Sequence, residues 1–526
     1  MSDREDPQTR HVVVIGAGIG GLSAALRLAH RGLSVEVVDM ASGPGGKMRT
    51  RASVAGPVDI GPTVMTMRHV FDELFDEVGT RLEDHVTLHA DTILARHWWP
   101  DGSSLDLHAD PELSAAAIRD FAGPKAEGEF RRFSDKARRL FEAFDAPVMQ
   151  EPVPKLGALT AHVMKTPALI PAMAPGLTLA QKLRLQFSDP RLQQLFGRYA
   201  TYVGGSPYLS PAILGLIWHS EARGVWAIEG GMHRLAEALH GLAVERGVRF
   251  RFDARADRIE MQDRRCAAVH LADGKRLRAD TVLFNGDPKA LHDGLLGSGP
   301  RAAVPKRAVA ERSLSAFVWG FAAEPVGVDL AHHNVFFCAD QKVEFGDIAK
   351  GRMPRDATLY VCAQDRGGTA RPEGPERFEI IMNGPPGHKA TDEERETCRT
   401  RTFASLEKMG LRFSPVPDDR HLTTPADFDR DFPASDGSLY GRSPHGMMAT
   451  FHRPGARTTI PGLYLCGGGT HPGAGIPMAC LSGKHAAAAI MSDLASTSAF
   501  LRTATRGGMS TASPTMANAP SRSSVS

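Results

Sequence analysis

The stretch RHVVVIGAGIGGLSAALRLAHRGLSVEVVDM constrains this chain more than any other. His11 to Ile15 form a short β-branched run, the pattern of a buried parallel strand. Gly16, Gly18 and Gly21 follow as G-x-G-x-x-G. Leu22, Ala25, Leu26 and Leu28 then recur at helical spacing, Gly32 closes the helix, and SVEVVD is a second strand ending on Asp39. Each glycine has a physical task. Gly16 permits the tight strand-to-helix turn, Gly18 lets a pyrophosphate approach the backbone, and Gly21 lets the helix lie close to the strand. The helix N-terminus offers unpaired N–H groups and a partial positive charge to phosphates. Asp39 stands where a carboxylate can accept hydrogen bonds from a ribose diol. The unit predicts a dinucleotide-binding β-α-β fold.

SGPGGKMRT follows directly. Gly45 and Gly46 supply a second flexible backbone segment, and Lys47 and Arg49 supply cations for phosphate. Flavoproteins of the glutathione-reductase type have a similar element that helps hold FAD, whereas nicotinamide domains do not need one. Near the other end, PGLYLCGGGTHPGAGIPMACLSGKHAAAAI reads as a strand (Leu463 to Cys466), a glycine loop and a helix from about Met478. Its glycines, Gly467, Gly468, Gly469, Gly473 and Gly475, with Ile476 behind them, suit backbone contact with a flavin ring. The helix brings a second dipole to the same anionic cofactor.

Between the two ends, VWAIEGGMHRLAEALHGLAVERGVRFRFDARADRIE predicts a glycine turn, an amphipathic helix and a strand. AAVHLADGKRLRADTVLFNGDP predicts two strands around an Asp-Gly turn and a final apolar strand, Thr281 to Phe284. The expected fold class is α/β: a discontinuous FAD-binding Rossmann-type (glutathione-reductase-like) domain over residues 1–85, 220–300 and 455–500. A second, substrate-binding α+β domain is expected from 86–219 and 301–454, with 501–526 a disordered tail. Two domains suit 526 residues. No second strand-G-x-G-x-x-G-helix unit occurs. The substrate is therefore expected to reduce the flavin, and an external acceptor, quinone or oxygen, to reoxidise it.

Composition narrows the partners. A net charge of +2 without basic-aromatic interleaving argues against nucleic acid. The six cysteines are scattered with no C-x-x-C pair, so neither a disulfide framework nor a metal site is expected, and a reducing cytoplasm suits them. MSDREDPQTR lacks signal-peptide character, and no apolar run reaches the roughly 18 residues of a spanning helix.

Four stretches resemble the bacterial-type phytoene desaturase family of carotenoid desaturases: VVVIGAGIGGLSAALRLAHRG, GPGGKMRT with VDIGPTVMT, VLFNGDP, and GLYLCGGGTHPGAGIPMACLSGKHAA. They extend from about residue 12 to 490, and T-H-P-G-A-G-I-P is the most specific. GVWAIEGGMHRLAEAL is more similar to the hydroxycarotenoid 3,4-desaturases. Asp39 in place of the more usual Glu, Gly286 in place of Ala, and Cys466 and Gly468 depart from the family pattern. The resemblance implies FAD, a lipophilic carotenoid substrate, a membrane surface at the cytoplasmic side of the inner membrane, and formation of a C–C double bond. Other members with phytoene, isomerase or oxidase activity, an amine oxidase, and a non-catalytic isoprenoid carrier on the same fold are the alternatives.

Desaturation removes a hydride and a proton. His471 in the glycine loop and Glu229 before Gly230 are the candidate proton acceptors; for each the alternative is a loop-fixing hydrogen bond. HVMKTPALIPAMAPGLTLAQKLRLQF, centred on Leu169 and Ile170, is expected either to meet lipid at a substrate entrance or to form an ordinary core helix pair. Trp98, Trp99, Trp218, Trp226 and Trp319 are expected to line a polyene tunnel or to fill the core.

Overall fold

The computed structural model describes residues 10–368 and 372–506, with side chains through 496. β1 (His11–Ile15), α1 (Ile19–His30) and β2 (Ser34–Val38) form the expected β-α-β unit. β1 is the centre of a five-stranded parallel sheet whose order is Leu463–Leu465, Thr281–Phe284, β1, β2, Arg249–Arg251. Three distant stretches of chain thus meet edge to edge.

Alternation along the strands explains why the sheet sits in the middle of a layered unit. Val12 and Val14 of β1 and Val35 and Val37 of β2 pack on one face, under α1 and the helices His69–Glu77, His233–Glu245 and Ile476–Arg506. Val13, Ile15 and Val38 pack on the other face. That face is covered by an antiparallel meander, Ala256–Gln262, Arg265–Leu271 and Arg276–Arg278. Its second turn holds the expected Asp273-Gly274. Its first is Asp263-Arg264, both residues left-handed (φ 49° and 62°), as a two-residue hairpin with right-twisted strands requires.

The second unit is an eight-stranded mixed sheet. Its order is Leu411–Ser414, Ser315–Gly327, Glu376–Gly384, Leu359–Ala363, His333–Phe336, Ile93–Trp98, Ser104–His108, with Leu422–Thr423 beside Ser315–Gly327. Helices between 111 and 222 pack on part of it through Leu94, Leu105, Ile118, Phe130 and Trp218. Asp392–Lys408 packs on Trp319, Phe321 and Phe378. Trp99, Trp218 and Trp319 are all core residues, and Trp98 and Trp226 pack at core edges.

One expectation needs correction, and packing decides between two alternatives for another segment. The last helix begins at Ile476 and runs to Arg506, so residues 501–506 continue a helix; 507–526 lie outside the described residues. Leu169 is buried against Leu140 and Phe144, so it is a core side chain, while its neighbour Ile170 is exposed.

Candidate functional site

The carboxyl ends of the five parallel strands converge on two glycine corners. At the first, α1 starts after Gly18 with no side chain capping it, which leaves its first-turn N–H groups open to an anion. A Cβ on Gly21 would lie 2.1 Å from the Gly16 carbonyl, so only glycine lets α1 approach the turn this closely. Gly45 donates its N–H to the Ala17 carbonyl at 2.9 Å and bridges Gly18, which docks the Gly45-Gly46 segment on the first turn.

Asp39 accepts from the Ala17 amide (2.6 Å) and the Ala41 amide (2.8 Å). It therefore clamps the turn as well as offering its remaining lone pairs outward, and burial pushes its pKa up. Lys47 is aimed differently from the sequence expectation. Its Nζ donates to the Leu439 carbonyl at 2.5 Å and lies 3.5 Å from that of Ser438. Burial pulls it down to about 8, against the help of Asp287.

At the second corner, Gly467 donates its N–H to Ser482 Oγ (2.7 Å), and Arg453 donates to the Gly468 carbonyl (2.8 Å). Ile476 opens the helix that crosses α1. Ser23 Oγ bonds the Cys480 carbonyl at 3.0 Å, and a Cβ on Gly483 would lie 2.4 Å from the Gly20 carbonyl. Asn285 joins the corners: its Nδ2 donates to the carbonyls of Gly16 (3.0 Å) and Gly18 (3.3 Å), and its Oδ1 receives the Cys466 thiol at 3.4 Å. Asn285 and Ser482 were not singled out from sequence. The available signal for Asn285 was its place directly after a buried parallel strand, where such sheets put their ligand residues.

His471 is buried, its Nε2 shared with the Glu151 carbonyl at 2.9 Å, and its ring stacks on His485 with centroids 6.1 Å apart. His485 holds the Met149 carbonyl at 3.1 Å, so the two imidazoles tie residues 149–151 to the glycine loop. Burial lowers the pKa of His471, and its Nδ1 has no partner. Glu229 is exposed at the turn before His233–Glu245 and meets His89 at 3.3 Å. Its carboxylate is turned to solvent, which removes it as a proton acceptor in an enclosed site. The buried carboxylate at this turn is Asp59, which caps the helix through the amides of Met232 (2.6 Å) and His233 (3.2 Å).

Tyr440 precedes Gly441, where a Cβ would lie 2.9 Å from Gly469 of the second corner, and Tyr202, Tyr360 and Tyr440 are all half-buried. Lys47 and Arg453 are half-buried as well. His332, His333 and Cys362 bring their ligand atoms within 4.8 Å of one another nearby. Against its burial, His332 is held up to about 10 by Cys362 and Asp91.

These features fit FAD: two side-chain-free corners that a Cβ would fill, an open helix N-terminus for the pyrophosphate, and an orphaned Thr470 hydroxyl in the second corner. They define a two-unit FAD-dependent oxidoreductase. The chain belongs to the flavin containing amine oxidoreductase family, which it matches over residues 19–491. Hydroxyneurosporene desaturase of Cereibacter sphaeroides is 57% identical over 93% of this chain and 98% of that relative. The protein of that description from Rubrivivax gelatinosus is 45% identical over 97% and 99%. A 4,4'-diapolycopene oxygenase of Methylomonas sp is 32% identical over 92% and 99%. Among solved structures, cyclohexylamine oxidase from Brevibacterium oxydans shares the fold (TM-score 0.56, 19% identity, 92% of this chain and 99% of that one).

Proposed function

We propose that this protein desaturates an acyclic 1-hydroxy or 1-methoxy carotenoid at the 3,4 position in carotenoid biosynthesis. The observation that carries the reading is the pair of side-chain-free corners with an uncapped helix N-terminus, in a chain alike along nearly its whole length to hydroxyneurosporene desaturases. Residues 1–85, 220–300 and 455–500 hold the cofactor, and 86–219 with 301–454 hold the substrate.

Bound FAD supplies a hydride acceptor. The α1 N-terminus and the Gly45-Gly46 segment bind its phosphates, and Asp39 its ribose. The buried core around the tyrosines excludes water from the allylic carbon. His471, neutral because it is buried, keeps Nδ1 free to take the second hydrogen as a proton. Quinone or oxygen then receives the electrons.

The substrate enters from the cytoplasmic face of the inner membrane. A cavity of about 250 Å³ leads to His471 and is bordered by Val153, Leu156, Phe451 and Met448. Beside it, helix Leu156–Lys165 packs only Leu159 and Val163 against the core, while Leu156 is 52% and Met164 66% exposed. No helix among the described residues is long and apolar enough to cross a membrane. An apolar face resting on lipid explains such exposure. The double variant Leu156→Glu/Met164→Glu is expected to cut the vesicle-bound fraction at least tenfold, since each apolar side chain withdrawn forfeits about 1.5–3 kcal/mol. Co-sedimentation with anionic liposomes measures it, and unchanged binding would refute the entrance.

The function itself is tested with purified protein, FAD and 1-hydroxyneurosporene in liposomes, followed by product chromatography. A product with one more conjugated double bond is expected. Turnover of phytoene with the hydroxylated polyene left intact would reject the 3,4 assignment.

A further inference from the structure

His333 opens the strand His333–Phe336, and the antiparallel strand Leu359–Ala363 sets Cys362 directly opposite it. Cross-strand partners project from one face of a sheet, so imidazole and thiol emerge side by side. His332 precedes the strand, and its ring centroid lies 4.0 Å from that of His333. One ligand atom from each of His332, His333 and Cys362 falls within 4.8 Å of the other two. All three residues are buried, at 7%, 2% and 0% exposure.

Each imidazole is already held through one nitrogen. His332 Nδ1 lies 2.9 Å from Asp91 Oδ2, and His333 Nδ1 lies 2.7 Å from the Tyr360 hydroxyl. His333 Nε2 has no hydrogen-bond partner. It stands 3.5 Å from Asp91 Oδ2, which sets it on the side of the Asp91–His332 pair. A carboxylate or hydroxyl on the other nitrogen is the way metal-binding imidazoles are oriented. Gly367 walls the group: a Cβ there would lie 2.8 Å from His332 Nδ1 and 2.3 Å from Ala227 Cβ. The outer partners are thus in place around a buried nitrogen that is unpaired, and such an atom is costly to leave so.

Donor type and charge select the ion. Two imidazoles and a thiolate suit Zn2+, which binds nitrogen at about 2.0–2.1 Å and sulfur at about 2.3 Å. Ligands of a tetrahedral ion at these lengths stand roughly 3.3–3.6 Å apart, so donors within 4.8 Å need only small side-chain adjustments to close on it. Among the described residues Asp91 pairs with no Lys or Arg, only with the two histidines. In the metal-free chain a proton on His332 balances it. Zn2+ displaces that proton together with the thiol proton of Cys362. The dication, the thiolate and the Asp91 carboxylate then sum to zero charge, as a buried group of ions requires.

We infer that His332, His333 and Cys362, backed by Asp91 and Tyr360, form a three-ligand Zn2+ site. The ion clamps the segment of Asp91, whose amide donates to the Val225 carbonyl, to the eight-stranded sheet. The sequence expectation of no metal site rested on the missing C-x-x-C spacing, which a cross-strand pair does not need. The site is independent of which polyene the protein takes.

The test takes untagged, FAD-loaded protein from medium supplemented with ZnCl2, desalts it and measures metal by mass spectrometry. About one zinc per chain is expected, the capacity of one such site. His333→Ala and Cys362→Ala should each lose nearly all of it, and Cys266→Ala, a buried cysteine outside the cluster, should keep it. Tyr360→Phe, which removes an outer partner, should weaken zinc binding by about 10–100-fold in competition with a chromophoric chelator. Should the alanine variants fail to fold, Co2+ loading of the wild type decides, because thiolate-bound tetrahedral Co2+ gives strong bands to the red of the flavin. A wild type without zinc, Co2+ loading without those bands, or full zinc in both alanine variants would each overturn the assignment.

Discussion

Gly21→Ala is expected to yield a protein purified nearly free of flavin. The new methyl would sit 2.1 Å from the Gly16 carbonyl and 2.9 Å from Asn285 Nδ2. The first obstacle is backbone in the tightest part of the turn, so no side chain can swing away. α1 must move off β1, which moves the amides that bind phosphate and breaks the bonds by which Asn285 joins the corners. Overpacking of this kind costs about 1–3 kcal/mol of stability. The loss of cofactor affinity is larger, because displaced amides no longer converge on one phosphate: the flavin-to-protein ratio should fall at least about tenfold. Gly43→Ala is the matched control, since no heavy atom lies within 4 Å of its Cβ position. The visible flavin band of both purified variants decides the matter. Full flavin in Gly21→Ala would show that the first corner does not hold the cofactor.

Glu221→Leu is expected to cause the largest loss of stability. Glu221 is 1% exposed and Arg198 7%. The carboxylate accepts from Arg198 at 3.3 Å, from the Tyr199 hydroxyl at 2.7 Å and from the Tyr202 hydroxyl. Removing it strands a buried guanidinium and two buried hydroxyls at once. Breaking such a pair costs about 3–5 kcal/mol, far more than forming it contributes. Arg198→Met added to Glu221→Leu should recover most of that loss, because the charge then leaves with its partner. Urea denaturation of the two variants checks both statements. A single variant within about 1 kcal/mol of wild type would contradict the buried-charge account.

The expected and observed molecules agree most closely where structure is local. The β1-α1-β2 unit and the strand-loop-helix near the C-terminus were legible because a turn that only glycine can make, followed at once by helical periodicity, leaves few alternatives. Thr281–Phe284 was legible as a short run of one threonine and three apolar residues. The catalytic candidates fared differently. His471 and Glu229 occupy similar glycine-rich sequence, yet His471 turns inward against the Glu151 carbonyl and Glu229 turns out to His89. Nothing in the residues beside Glu229 distinguishes it from an inward acid. Asp59, which does point inward, stood in a quoted stretch without a role, because the helix it caps begins 174 positions from it at His233. Leu169 and Ile170 look equally lipid-facing in sequence, and only packing against Leu140 and Phe144 separates them.

Glu379 illustrates the same limit. In ERFEIIMNG it reads as one polar residue in an alternating strand, and its burial depends on elements remote in the chain. From sequence alone came the cofactor class, the two glycine corners and the return of the chain to a single parallel sheet, because backbone sterics and periodicity act between near neighbours. The tertiary structure alone decided which acids are buried and which carbonyls the cations reach. Those outcomes depend on desolvation and partners supplied by segments hundreds of residues apart.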